Sequence, residues 1–206
     1  SDPTLLDRLT QFGQNVVRVQ SPESGIFANT ISGSTGDGGS IQIANPRQLN
    51  VKDGAKISVN SQGSGNGGKL SIQTDNLILD KNASLSASTA SGEGGNINLQ
   101  VKDILRLRNN SNISAQASGN ADGGNINIKS NFIVASPNQN NDIIAKAEQG
   151  KGGNISIDSE AIFGIEPRIS TVGNTSNDID ASSDFGLAGN ISINTPDVNP
   201  AKNREQ

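Results

Sequence analysis

The chain has 206 residues and a formal net charge of -4, with no cysteine, no histidine and five phenylalanines as its only aromatic residues. Those counts exclude a disulfide framework, a thiolate metal site and the usual Ser-His-Asp, Cys-His and zinc chemistries. The acidic balance argues against a nucleic-acid partner, and no apolar run approaches the ~20 residues needed to cross a bilayer.

Residues 1–13 predict a short helix: Asp2 can cap it, Pro3 suits its first position, Leu5, Leu6, Leu9 and Phe12 share one face, and Gly13 suits its stop. Such a helix could cover the open apolar end of a stacked fold. No secretion signal opens the segment, so export would rely on a signal outside it. Val16 to Val19 predicts a strand, and Ser21-Pro22-Glu23-Ser24-Gly25 a turn into Ile26-Phe27-Ala28, together the end of an incomplete first coil.

From there the chain repeats. A glycine pair followed by a short alternating strand occurs at Gly38-Gly39, Gly67-Gly68, Gly94-Gly95, Gly123-Gly124 and Gly152-Gly153, and decays to Ala188-Gly189. The steps between second glycines are 29, 27, 29, 29 and 36 residues. A period held this well marks a repeat architecture in which each repeat stacks on the next.

Three short strands can be laid out per repeat. The first carries Ile41 and Ile43, Leu70 and Ile72, Ile97 and Leu99, Ile126 and Ile128, Ile155 and Ile157, and Ile191 and Ile193. Alternation sends Gln42, Ser71, Asn98, Asn127, Ser156 and Ser192 outward. The second carries Leu49 and Val51, Leu77 and Leu79, and Leu105 and Leu107, with weaker equivalents near Ile133 and Ile162. The third carries Ile57, Leu85, Ile113, Ile143 and Ile179, each followed two residues later by Val59, Ala87, Ala115, Ala145 or Ala181. This is an all-β parallel β-helix of about five full coils of ~28 residues with a short N-terminal helix. It divides into a lead-in and possible cap over 1–23, the β-helix over 24–194 and an irregular tail over 195–206, where Pro196 and Pro200 discourage further pairing.

The glycine pairs suit a tight corner, by positive φ or by crowding from the adjacent turn. Asn96, Asn125, Asn154 and Asn190 follow them in register and can bond to their copies above and below. The coil from Gly153 to Gly189 is long, and Glu166-Pro167-Arg168 with Thr171-Val172-Gly173-Asn174 marks an inserted loop.

Asn177-Asp178-Ile179-Asp180-Ala181-Ser182-Ser183-Asp184-Phe185-Gly186, followed by Gly189-Asn190-Ile191-Ser192-Ile193-Asn194-Thr195-Pro196-Asp197, resembles the closing segment of cyanobacterial filamentous-haemagglutinin-like exoproteins of two-partner secretion. Ser24-Gly25-Ile26-Phe27-Ala28 resembles the opening of the last block of coils in those proteins, and the Gly-Gly-Asn-Ile repeats agree. The resemblance spans roughly 24–197 and implies a right-handed β-helix exported through an outer-membrane partner pore and displayed on or released from the cell surface. It implies a piece of a longer chain. The family's N-terminal secretion domain is absent from this segment, and Asn45-Pro46 lies inside a coil, where a turn explains it.

Candidate chemistry is sparse. Lys52, Asp80, Arg106 and Arg108 are exposed on the second strand and can pair as a surface ladder, while the first strand exposes no charge. The residues before the glycine pairs form a column of Asp37, Asn66, Glu93, Asp122 and Lys151, in which Glu93 and Asp122 could share a hard cation unless Lys151 neutralises Asp122. An outward column of Ser58, Ser86 and Ser114 begins an ice- or crystal-binding array, but Ile144 and Asp180 interrupt it. No catalytic, cofactor-binding or metal-binding residue is assigned. The sequence therefore reads as a non-enzymatic, secreted or surface-displayed adhesin or spacer, its specificity placed in the loop at 164–178 or the turn columns. Surface glycans or other cells are the expected contacts. The alternative is a polysaccharide-binding or polysaccharide-cleaving module on the same scaffold.

Overall fold

A computed structural model describes residues 24–171 and 173–196. The helix expected over 1–13, the strand over 16–19 and the end of the tail lie outside them. Within them the chain forms β1 (Gly25–Phe27), β2 (Ser40–Ala44), β3 (Gln48–Lys52), β4 (Lys56–Ser58), β5 (Lys69–Asp80), β6 (Ser84–Ser86) and β7 (Asn96–Arg108). It continues through β8 (Asn112–Ser114), β9 (Asn125–Ala135), β10 (Asp142–Ile144), β11 (Asn154–Phe163), β12 (Glu166–Pro167), β13 (Asp178–Asp180) and β14 (Asn190–Asn194). All pairs between these strands are parallel, and the product is a β-solenoid of about five turns.

Two sheets wrap one core. The first runs β14-β11-β9-β7-β5-β2, with β3 also paired to β5, and the second runs β1-β4-β6-β8-β10-β13-β12. Register follows the columns expected from sequence: Ile41, Leu70, Ile97, Ile126, Ile155 and Ile191 align, as do Leu49, Leu77, Leu105, Ile133 and Ile162. Leu70, Leu77, Leu105, Ile113 and Ile126 are fully enclosed, so like side chains stack on like along the axis. A one-residue slip would turn each column outward, which is why the register is strongly specified.

The structure departs from three separate strands per coil. In β5, β7, β9 and β11 the first and second strands are one long strand bent in its middle. The cause is local. Thr74, Ser130 and Ser159 sit at the bend, and each hydroxyl donates to the carbonyl two residues ahead, at Asn76, Phe132 and Ala161, over 2.9 to 3.1 Å. This side-chain bond replaces a ladder bond and lets the strand turn without ending. Val101 holds the equivalent place in β7 and has no hydroxyl. There the bend takes one extra residue, and the register moves on from Val101 to Ile104.

The glycine pairs close each coil by crowding, not by φ, since none of them is among the positive-φ residues. A Cβ on Gly124 would stand 2.1 Å from the Gly95 carbonyl oxygen and 2.9 Å from the Ala115 Cβ. The second glycine also donates from its amide to the third-strand carbonyl: Gly68 to Val59, Gly95 to Ala87, Gly124 to Ala115 and Gly153 to Ala145, over 2.7 to 2.9 Å. The vertex between third and first strands therefore leaves no room for a side chain at the glycines and suits small residues opposite them, Ala87, Ala115 and Ala145, with Val59 the largest. Left-handed backbone lies elsewhere, at Lys81-Asn82 and Asn109-Asn110 between the second and third strands, where Asn tolerates positive φ.

Candidate functional site

Where the long strands bend, the outer surface is concave. A groove of about 720 Å³ runs there along the axis. Its floor is Thr74, Val101, Ser130 and Ser159, all buried. The residues before them, Gln73, Gln100, Lys129 and Asp158, form one wall, and those after them, Asp75, Lys102, Asn131 and Glu160, line the other. Gln73, Gln100 and Lys129 align across β5, β7 and β9, and Asp158 and Asn194 extend the column through β11 and β14.

The groove's chemistry is mixed. Lys129 Nζ lies 3.7 Å from Asp158 Oδ2, and Asn194 Nδ2 donates to Asp158 Oδ1 at 3.0 Å. Two lysines face three carboxylates, so no strong field of either sign develops. The floor hydroxyls spend their protons on backbone carbonyls, with Thr74 also reaching Pro46 at 2.8 Å and Ser159 reaching Asn131 at 3.1 Å. Sequence reasoning missed this site because it ended the first strand at its second apolar residue and so found no charge there. The continuing strand places Lys129 and Asp158 in the middle of β9 and β11, just before the bend. Reading the residue one beyond each apolar pair at the repeat period, Gln73, Gln100, Lys129 and Asp158, would have revealed the column.

The long coil holds a second polar assembly. β12 pairs with β13 on the side away from β10, so the insertion supplies one more rung to the second sheet. Pro167 occupies that rung, an edge position where its missing amide costs least. The chain then folds back as a strap over Asp142, Asp178 and Asp180, which retain only 5%, 0% and 2% of their exposure. Arg168 Nε donates to Asp178 Oδ1 at 2.8 Å, and Asn174 Nδ2 and Ser176 Oγ donate to Oδ2 at 2.8 and 2.9 Å. Ser170 donates from its amide to Asp180 Oδ2 at 2.9 Å and from its hydroxyl to Asp142 Oδ2 at 3.1 Å. The Asp178 amide donates to Asp142 Oδ1, and the Ser182 amide to Asp180 Oδ1. Every oxygen of the three carboxylates is thus taken. Burial pushes the Asp142 carboxyl above the usual carboxylate range, and the charges of Asp178 and Asp180 add to that. Asp180, expected on an open outward column, is covered because the strap crosses that face.

Arg108 Nη2 bonds Asp80 Oδ2 at 2.8 Å, as the surface ladder required, and Lys52 aligns with Asp80. Arg106 aligns with Ile78 and Val134 and so belongs to another column. The column before the glycine pairs caps backbone: Asp37 Oδ1 accepts from the Asn66 amide, Asn66 Oδ1 from Glu93, and Asp122 Oδ1 from Lys151, all at 2.7 to 2.8 Å. Asp122 therefore meets the Lys151 main chain. Among the described residues no group of three His, Cys, Asp or Glu side chains is arranged to hold a metal ion, at Glu93 and Asp122 or elsewhere. The Asn96, Asn125 and Asn154 ladder forms, with amide bonds of 2.8 Å. A second one, Asn82, Asn110 and Asn140 at 2.7 and 3.1 Å, was legible only as a repeat of Asn at the left-handed corner. Comparison of the chain with family models, with curated proteins and with solved structures finds no match.

Proposed function

We propose that the chain is a rigid, non-enzymatic segment of a secreted or cell-surface protein that works as a spacer and contributes an adhesive face. The observation that supports this reading is the groove at the strand bend, which repeats its walls coil after coil and is open along its length. A shallow surface of that form suits contact with a polymer or another surface better than enclosure of a small substrate. The likeness of the closing and opening segments to two-partner-secretion exoproteins supports export through an outer-membrane transport partner, with glycans or other cells as the contacts.

Beads coated with the purified chain, applied to polysaccharide films and to cells, test the adhesive part of this reading. Retention above that of uncoated beads is the expected result, and retention no better than theirs would sink it. The alternative, a polysaccharide-cleaving module, is favoured by the groove carboxylates Asp75, Asp158 and Glu160. A depolymerisation assay on the same films decides between the two: binding without product supports adhesion, and appearance of shorter chains supports cleavage.

A further inference from the structure

We propose that the groove at the strand bend binds a neutral, linear polysaccharide with one sugar unit per coil, an inference that rests on the adhesive reading and names its ligand class. Three observations lead there. The first is spacing: the walls repeat with the stacking of parallel strands, ~4.8 Å per coil, close to the rise of one pyranose unit in an extended chain. A polymer laid along the axis meets one pair of wall positions at each unit: Gln73 and Asp75, Gln100 and Lys102, Lys129 and Asn131, then Asp158 and Glu160.

The second is charge. Gln73, Gln100 and Asn131 offer both donors and acceptors, and the lysines and carboxylates are interleaved in place of a single-sign field. A polyuronate or sulfated chain would meet Asp75, Asp158 and Glu160 as like charges, whereas hydroxyl groups can donate to those carboxylates and accept from Lys102. The third is the floor. Thr74, Val101, Ser130 and Ser159 are buried and the hydroxyl protons among them are spent on backbone carbonyls, so the floor offers no competing donor and the exposed polar walls are left to take the sugar hydroxyls.

A peptide strand fits less well. The backbone amides and carbonyls of β5, β7, β9 and β11 are engaged with neighbouring coils along the groove, so no free sheet edge is offered for strand addition there.

The test is titration calorimetry of the chain with β-1,4-linked gluco- and manno-oligosaccharides of two to six units, and with a galacturonate hexamer. Affinity for at least one neutral series should rise with length and level off near four or five units, and the uronate should bind more weakly. The double variant Gln100→Ala with Asn131→Ala should bind about tenfold more weakly with an unchanged thermal midpoint. Absence of binding by both neutral series, tighter binding of the uronate, or a folded double variant with unaltered affinity would each overturn the inference. A peptide library retained in place of the sugars would do the same. The bead assay separates the two levels: adhesion kept by the double variant removes the groove as the contact and leaves the adhesive rod standing.

Discussion

The regular coils from Gly39 to Gly153 and the long coil that follows meet the same physical demand by different means. In the regular coils the backbone of each turn is satisfied by the turns on either side, and the stacked interior of Leu70, Ile97, Ile126 and Ile155 supplies the driving force. At the long coil the second sheet approaches its end, where a strand edge would be left open to pair with another chain. The insertion covers that edge with β12 and locks the strap through buried carboxylates. Repetition stabilises the middle through hydrophobic burial; the end is closed by hydrogen bonds and one guanidinium. The loop at 164–178, expected from sequence to carry specificity, is first of all an end cap.

That contrast can be broken most severely in the middle. Leu105→Ala, in a fully buried column, should cost about 4 kcal/mol and lower the protection of neighbouring coils in hydrogen exchange, because each turn depends on its neighbours. If the loss stayed confined to β7, coupling between coils would be weaker than the stacked register implies. Gly124→Ala should cost about 3 kcal/mol, measured by urea unfolding, since the added carbon meets main chain on the adjacent coil and has no flexible side chain to displace.

The end cap should respond more locally. Asp178→Ala removes the partner of Arg168, Asn174 and Ser176, and a loss of about 2 kcal/mol is expected, with exchange rising in the strap but not in β5 or β7. The figure is below that of a fully buried pair because the Arg168 side chain is half exposed and can return to water.

Acid should separate the two regions by sign. Asp80 is held below its ordinary 3.8, first by the Asn109 side-chain bond and then by the charges of Arg108 and Lys81, against a desolvation that acts the other way. Its contribution is present above 3.8 and is lost as pH falls through the depressed folded value. Asp142 is raised by burial, so the folded strap holds its proton more tightly than the unfolded chain does. Its contribution is complete below 3.8 and is lost as pH rises through the raised folded value. Above the raised folded value of Asp142 the urea midpoint should therefore fall for Asp80→Asn and rise for Asp142→Asn relative to the parent, and both differences should shrink in acid. Shifts of the same sign would contradict this assignment. The smallest effect is expected for Lys81→Ala: both members of the Lys81–Asp53 pair are largely exposed, and a change below about 0.5 kcal/mol in the same assay is anticipated.

The strand columns were legible in the sequence to the level of individual partners. Ile57, Leu85, Ile113, Ile143 and Ile179 stack as their spacing indicated, and so do the serines and Asp180 beside them. The groove was not legible by the same method, because it lies where alternation is interrupted at Thr74, Val101, Ser130 and Ser159. Nor could burial of Asp142, Asp178 and Asp180 be inferred: parity places their side chains outside the coil, which is correct, but cannot show that Arg168, Ser170, Asn174 and Ser176 will come to lie over that face.

Period and parity are properties of the chain itself, so the sequence alone determined the parallel solenoid, its register and the residues that face inward. Each coil's side-chain direction follows from the pleat, and each column follows from repetition at a nearly constant step. Only the tertiary structure decided which outward residues stay wet, which strands fuse across a bend and which end of a sheet is covered. Those outcomes depend on where non-repeating segments come to rest and on side chains such as Ser170, whose partners on β10 and β13 lie 28 and 10 residues away. No local periodicity encodes such a meeting, and it is there, and at the bends, that the molecule carries what is specific to it.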